Sequence, residues 1–506
     1  MYVYAAVAVV IFLIFLFGIG VWTKKFVANS SDYLLAGREM SYGINMMGVV
    51  ASGFAGTTIA LAPGWGVIYG FWGTFAMAFC YAICGVCVYG LLFAKVIRRS
   101  GAYTLPEWLE MRYDYRVRRV LAITGFIGMI AVTANNVLAL ANVLTGYFGW
   151  SLYISIAIGV LTFMGFTYFS GMWGVSLTDF AQALIGCVGA PLLIIFCFKT
   201  FGGLDVTFRA WNGTFADYFT AGIGGTSLKM WGLAYPSGIT IALNFGVFLV
   251  WGGQHYWIRM ASARSEKQAQ FGYVVAGVIL FFVTLVIGMV GLYAGAHYGD
   301  MFTLTGGTIP PTSAYGYVIS YFPPLVGVFL LVFALAASLS TAASTLIGSV
   351  SIAVKDIYPH FIHKNPSDKQ LARAGRVATV VISLIAWGLA YYPGGTTFLF
   401  AFATAWMAPA GLMFALGLWW RRCTPTGAFV GAIIALICES AWALLDLFKV
   451  PVGGHVIGFY FHMGIVGLVT AIIPAVIVSL LTKPKYYGRP DWALKDPSAG
   501  QTAIRQ

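Results

Sequence analysis

Ser340, Thr341 and Ser344 fall within an otherwise apolar run, Ala336-Ala337-Ser338-Leu339-Ser340-Thr341-Ala342-Ala343-Ser344-Thr345. On a helix this spacing puts Ala337, Ser340, Thr341 and Ser344 on one face, because residues three and four apart overlap. Three hydroxyl oxygens are thereby offered to one neighbour. Hard cations take oxygen ligands, and a neutral cage of carbonyls and hydroxyls can replace a monovalent ion's hydration shell. Proton coupling needs a group that titrates near neutrality, and this face carries none. The same stripe also suits plain helix packing, with hydroxyls bonded back to the preceding turn.

Asp179, in Ser176-Leu177-Thr178-Asp179-Phe180-Ala181-Gln182, is a lone carboxylate in an apolar stretch. Burying a carboxylate at mid-membrane costs roughly 2.5–3.5 kcal/mol on insertion scales, so its presence points to function. Its alternative is an interfacial cap for a helix start. Glu439 is similar, but Ser440 and small neighbours suit a helix–helix contact there.

These residues need helices to hold them, and the composition says which kind. Of 506 residues, 60% are apolar and 9% charged, against roughly 25% charged in soluble domains. Apolar runs recur at the roughly 20-residue length that crosses a bilayer as a helix. A β-barrel would show alternating segments of about ten residues instead. The chain is expected to be an all-α polytopic membrane protein of about thirteen spans. They fall near 2–22, 42–70, 72–97, 119–147, 151–170, 175–199, 231–257, 272–296, 323–354, 371–391, 396–419, 425–446 and 456–481. The ninth is preceded by Thr312–Tyr321, expected as a short surface helix.

Two spans carry breaks. The second reads Ala51-Ser52-Gly53-Phe54-Ala55-Gly56-Thr57-Thr58 and then Ala62-Pro63-Gly64; the seventh reads Tyr235-Pro236-Ser237-Gly238 and then Trp251-Gly252-Gly253-Gln254. Interrupted helices free backbone groups, which membranes tolerate where those groups line a cavity or bind something. Gly and Pro also simply ease close packing. Breaks in the second and seventh spans have the offset of a five-plus-five inverted repeat.

The formal charge of +13 does not call for a nucleic acid. All but four of the 29 lysines and arginines lie in alternate loops, 23–41, 95–119, 258–271, 355–376, 420–424 and the tail from 482. The four exceptions are Lys199, Arg209, Lys229 and Lys449. Basic loops stay cytoplasmic, so the N-terminus is expected outside and the C-terminus inside, in the plasma membrane, with weak attraction to anionic lipid as a second effect. Six of the seven cysteines lie within spans and Cys423 on the inner side, which suits small apolar packers. The first span has neither a basic leader nor a small-residue cleavage site and is read as a retained helix. Asn212-Gly213-Thr214 in the loop 200–230 is a sequon, and the polar tail is expected to be mobile.

Several motifs in order resemble the sodium:solute symporter family. They are Asp32-Tyr33-Leu34-Leu35-Ala36-Gly37-Arg38, Gly174 to Asp179 with Gln182, the stripe 337–344, and Leu418-Trp419-Trp420-Arg421-Arg422 with Gly427-Ala428. Gly252-Gly253-Gln254-His255 with Arg259 and Ala261-Ser262-Ala263 is similar to the proline and pantothenate branches. The resemblance covers about 2–482. It implies a leucine-transporter-type fold: a leading helix (1–22), two five-helix repeats (42–199 and 231–419), two trailing helices (425–481) and a cytoplasmic tail (482–506).

It also implies Na+ as coupling ion, held by carbonyls of Ala51, Phe54 and Ala337 and hydroxyls of Ser340 and Thr341. A second sodium, used by some members, would take Asp179, Ser340, Ser344 and the residue at 343. Ala343 offers only a carbonyl where two-sodium members often carry a hydroxyl, so the number of ions stays open. The solute is expected between the broken helices and spans three, four and eleven, near Thr57, Thr58, Asn135, Asn136, Gln254 and Trp406. The Asn135-Asn136 pair equally suits helix–helix bonding. His255 and Tyr256 are placed at an inner gate. With no Lys or Arg assigned to mid-span, a neutral, zwitterionic or small monocarboxylate solute is favoured over a strongly anionic one.

The expected activity is therefore sodium-coupled import of a small polar solute by alternating access, with a sugar or other neutral solute as the alternative. The partners are that solute and the lipid bilayer, with no nucleic acid and no obligate protein partner. A membrane enzyme is the rival from another class, but no His-Glu-x-x-His run, paired intramembrane carboxylates or phosphate loop supports it. A passive channel would usually need oligomeric pore rings.

Overall fold

The computed structural model describes residues 2–203, 222–223, 225–391 and 395–483. The Asn212 sequon, most of the loop 200–230 and the tail beyond 483 lie outside them. Among the described residues nearly everything is helical, apart from a hairpin of Pro451–Val452 with His455–Val456.

In chain order the helices are α1 (Tyr2–Thr23), α2 (Tyr42–Phe54), α3 (Gly56–Ser100), α4 (Tyr115–Phe148), α5 (Leu152–Phe169) and α6 (Gly171–Phe201). There follow α7 (Gly238–Trp251), α8 (Gln254–Ser262), α9 (Glu266–Tyr298) and α10 (Pro324–Ile352). Last come α11 (Asp368–Leu389), α12 (Gly395–Trp419), α13 (Pro425–Leu447) and α14 (Met463–Leu481).

Among the described residues eleven helices are long and apolar enough to cross a membrane, so the expected count of about thirteen is not confirmed. The difference has two physical sources. The expected second span breaks at Ala55, and its second half runs on into the third within α3, past the non-helical Gly70 (φ 66°, ψ −154°). The seventh is the short α7, which at about 1.5 Å per residue falls short of a core about 30 Å thick.

Local signals set many helix ends. Asp114 caps α4 by accepting the backbone amides of Arg116 and Val117, and Ser265 and Thr424 cap α9 and α13 in the same way. Ser367 and Gln370 form a capping box at the start of α11. These caps satisfy donors that a helix start leaves without partners.

The helices that matter for a site are the buried ones. In α4 and α12, 83% of the most apolar window is buried, against 22% in α1 and 28% in α14, which therefore face lipid. The centre is built by α10, buried without interruption from Phe333 to Ile352.

The segment expected as a surface helix before α10 is instead inside. Ala314–Ile319 is helical, Tyr315 and Val318 are fully buried, and the Tyr315 hydroxyl donates to the Leu330 carbonyl at 3.0 Å. Its apolar side chains and the glycines Gly146 and Gly316 let it seat directly against α4.

The basic segments gather at one end of the molecule. Ser30 reaches Asp368 at 3.0 Å, Met40 and Ser262 share a backbone hydrogen bond at 3.1 Å, and Arg118 pairs with Asp356 at 2.7 Å. Arg112 donates to the carbonyl of Gly417 at 2.8 Å, and Arg422 to that of Thr482 at 2.8 Å.

Close approach of α9 to α3 depends on glycine: a Cβ at Gly291 would overlap the Pro63 carbonyl, and one at Gly288 would overlap Thr74. Gly291→Leu is expected to destabilise the protein by about 1–3 kcal/mol through overpacking, read as a lower melting temperature in detergent. Gly18→Ala on α1 meets nothing within 4 Å and should leave that temperature unchanged.

Candidate functional site

The break expected in the second span is a real break. Helix α2 stops at Phe54, Ala55 takes a non-helical conformation (φ 17°, ψ 143°), and α3 starts at Gly56. A helix that ends inside the protein leaves its last carbonyls without intrahelical partners. Two of them are met by hydroxyls: Thr58 donates to Gly53 O at 3.0 Å, and Thr341 of α10 donates to Ser52 O at 3.1 Å. Thr341 Oγ1 also lies 3.2 Å from Ala337 O, so this one oxygen stands between carbonyls of α2 and α10. Ala51, Phe54, Ala337, Ser340 and Thr341 are all at most 3% exposed. Buried neutral carbonyl and hydroxyl oxygens are the kind of ligand that a monovalent cation takes.

Packing alone accounts for part of the hydroxyl stripe. Ser338 bonds back to Ala334 O and Thr345 to Thr341 O. Ser340 and Ser344 do not; they reach across to α6. Ser340 donates to Asp179 Oδ1 at 2.6 Å and Ser344 to Asp179 Oδ2 at 3.2 Å. Asp179 is thus no interfacial cap. It is fully buried in the body of α6, while Ala343, buried on α10, has no side-chain oxygen.

The partner of Asp179 is Arg259, from the basic segment 258–271. Arg259 lies in α8, is 1% exposed, forms an ion pair with Asp179 and donates to the Ser344 hydroxyl. No Lys or Arg was expected mid-span, yet this one, at the end of the broken seventh span, turns its guanidinium into the buried core. A signal was present: His255-Tyr256-Trp257-Ile258 continues the apolar character of the broken seventh span, and a buried carboxylate needs a cation near it.

A small cavity, about 20 Å³, lies beside the break. Thr57, Thr58, Asn136, Tyr81, Tyr256 and Phe245 are among its walls. The hydroxyls of Tyr81 and Tyr256 are hydrogen-bonded to each other, and Phe245 stacks on Phe400 with ring centroids 4.3 Å apart. Its volume is about that of one water molecule, so this conformation is closed around the centre. Tyr81, Phe245 and Phe400 were not singled out in the sequence, where aromatics are too common, at 16%, to stand out.

The expected solute-contacting residues divide. Thr57, Thr58 and Asn136 wall the cavity, with Asn136 Oδ1 accepting the Thr57 amide at 3.3 Å. Asn135 accepts the Thr57 hydroxyl at 2.7 Å and donates to Thr396 O at 2.6 Å, which ties α3 and α4 to the start of α12. Asn142 adds a bond to Thr396 Oγ1 at 2.7 Å. Gln254 sits at the basic end, where it accepts the Leu105 amide at 3.0 Å and donates to Ser351 at 3.0 Å. Trp406 packs with Trp442 and Met463 of the trailing helices rather than on the cavity. His255 and Tyr256, expected at a gate, are among the cavity walls.

The model of the sodium:solute symporter family matches residues 33–435. A sodium/proline symporter of Haemophilus influenzae is 26% identical, over 94% of this chain and 95% of that protein. The osmoregulated proline transporter OpuE of Bacillus subtilis is 26% identical, covering 94% of each chain. A sodium/glucose cotransporter of Vibrio parahaemolyticus is 27% identical over 84% of this chain and 82% of that one. Among solved structures, a Na+-coupled sialic acid symporter in a substrate-bound outward-open state superposes with a TM-score of 0.75, at 20% identity and over 96% and 99% of the two chains. The nucleobase-cation-symport-1 transporter Mhp1 gives 0.54 at 14% identity, over 91% and 97%. The fold is of the leucine-transporter type. With the match running over most of its length, this chain belongs to the sodium:solute symporter family.

Proposed function

We propose that the protein imports a small polar organic solute together with sodium, by alternating access, and leaves the solute chemically unchanged. Sodium is the coupling ion of the family. The observation that carries the reading is the Thr341 oxygen standing between carbonyls of a broken helix and of α10. In this reading the ion takes the carbonyls of Ala51, Phe54 and Ala337 with the hydroxyls of Ser340 and Thr341. When bound, sodium would supply a positive charge that fastens the end of α2 to α10.

The solute site is assigned to the neighbouring cavity. Thr57, Thr58, Asn136 and the Tyr81–Tyr256 hydroxyl pair offer neutral hydrogen-bond partners, and Phe245 and Phe400 offer apolar walls. Such a site suits a neutral or zwitterionic molecule, and an amino acid such as proline is the first to test, because proline transporters recur among the relatives. A small monocarboxylate or a pantothenate-like vitamin follows. A sugar is the second reading, since a glucose cotransporter aligns at similar identity over a smaller share of the chain. The basic end is assigned to the cytoplasm and the membrane to the plasma membrane, with the N-terminus outside.

Uptake of labelled proline by purified protein in liposomes is expected to need an inward sodium gradient, with potassium unable to replace it, and the recovered label should be unmodified proline. Accumulation without sodium, or a chemically altered product, would contradict the reading. If proline is not taken up, competition by a panel of amino acids, monocarboxylates and sugars identifies the class. Thr341→Ala should raise the sodium concentration for half-maximal uptake on the order of tenfold, equivalent to about 1.4 kcal/mol, and Thr341→Ser should restore it. Tyr256→Phe should raise the half-saturating solute concentration about tenfold with the sodium value unchanged; equal effects on both would place Tyr256 outside the solute site.

A further inference from the structure

The oxygen cluster that would take a second sodium already holds a cation. Asp179 Oδ1 accepts Ser340 and Oδ2 accepts Ser344, and the Arg259 guanidinium lies against the same Oδ2 and the same Ser344 hydroxyl. Arg259 and Asp179 are 1% and 0% exposed. Two features hold the guanidinium there. Gly48 of α2 gives it passage, since a Cβ at that position would overlap Nη1. Asn45 donates to the Arg259 backbone carbonyl at 2.7 Å.

Within this cluster the charge balance is closed. One carboxylate faces one guanidinium, and Ala343 adds no side-chain oxygen on α10. A sodium ion brought to Asp179 with Arg259 in place would set two positive charges a few ångströms apart in a buried site. At an effective dielectric constant near 20, repulsion at about 4 Å lowers affinity on the order of a thousandfold. The residues therefore do not fit a second ion.

We infer that Arg259 is the resident second cation of this transporter, so that the chain couples a single sodium to each solute. The inference rests on the sodium reading of the Thr341 site, with which it shares Ser340, but it concerns the pairing of Asp179 with Arg259 and Ser344. Arg259 acts as a positioning residue: its ion pair fastens α8, the second half of a broken helix, to α6 and α10.

Counting bound 22Na+ per purified protein at saturating sodium tests this. The expected numbers are one for the wild type, one for Arg259→Lys, which keeps the charge, and two for Arg259→Gln. The double variant Arg259→Gln with Asp179→Asn should return to one. Two ions on the wild type would overturn the inference, as would a correctly sized, monodisperse Arg259→Gln protein that still binds one. Should Arg259→Gln fail to fold, the wild-type count decides alone: one supports the inference and two refutes it. Zero ions on the wild type would instead overturn the sodium reading, and with it this inference, which distinguishes the two failures.

Discussion

The structure depends on a helix that stops in the middle of the protein. At Ala55 the backbone ladder of α2 is interrupted, and carbonyls that would have been spent on the next turn are left facing α10. Buried carbonyls without partners are costly, so whatever lies opposite must supply donors or positive charge. Helix α10 can come close because its facing residues are small: Ala337, Ser340, Thr341 and Ser344 present nothing larger than a hydroxyl or methyl group. Thr341 bonds Ser52 O, and Thr58 covers Gly53 O from the other side of the break. The rest of the core, with α4 and α12 buried around this seam, serves to keep it dry.

Closure at both ends follows from side chains that reach across helix junctions. At the basic end Gln254 holds Leu105 and Ser351, Arg98 holds the Ala263 carbonyl at 2.5 Å, and Trp257 reaches Ala102 O at 3.4 Å. At the opposite end Asn135 and Asn142 hold Thr396. A net hydrogen bond contributes about 0.5–1.5 kcal/mol, so each seal is worth a few kcal/mol. Moving a two-state balance from 1:99 to 99:1 takes about 5.5 kcal/mol. Seals of that size can be opened or shut by ligands that prefer one state, which is what alternating access requires.

Much of this was legible in the sequence, and the exceptions share a cause. Hydropathy located the helices, the Gly-rich run at 51–58 located the break, and hydroxyls at helical spacing located the face of α10. Those signals are periodic and local. What stayed hidden depends on which way a side chain leaves a helix of unknown rotation. Trp406 faces the trailing helices, Gln254 faces the loop 103–105, and Arg259 turns inward through the gap at Gly48. Charge counting put Arg259 with its basic neighbours because nothing local distinguishes a buried guanidinium at a helix end from a solvated one. The burial of the helix Ala314–Ile319 is hidden for a related reason: its apolar side chains have a place to pack that only the tertiary structure reveals.

The central claim is that carbonyls of α2 and oxygens of α10 converge on one desolvated sodium ion. Its most direct test is the melting temperature of the purified protein titrated with sodium chloride or with potassium chloride at constant ionic strength. A ligand at a hundred times its dissociation constant stabilises by about 2.7 kcal/mol. Sodium should therefore raise the melting temperature saturably, potassium should not, and Thr341→Ala should move the sodium response to higher concentration. Equal shifts in both salts, or a sodium response indifferent to Thr341, would contradict the account.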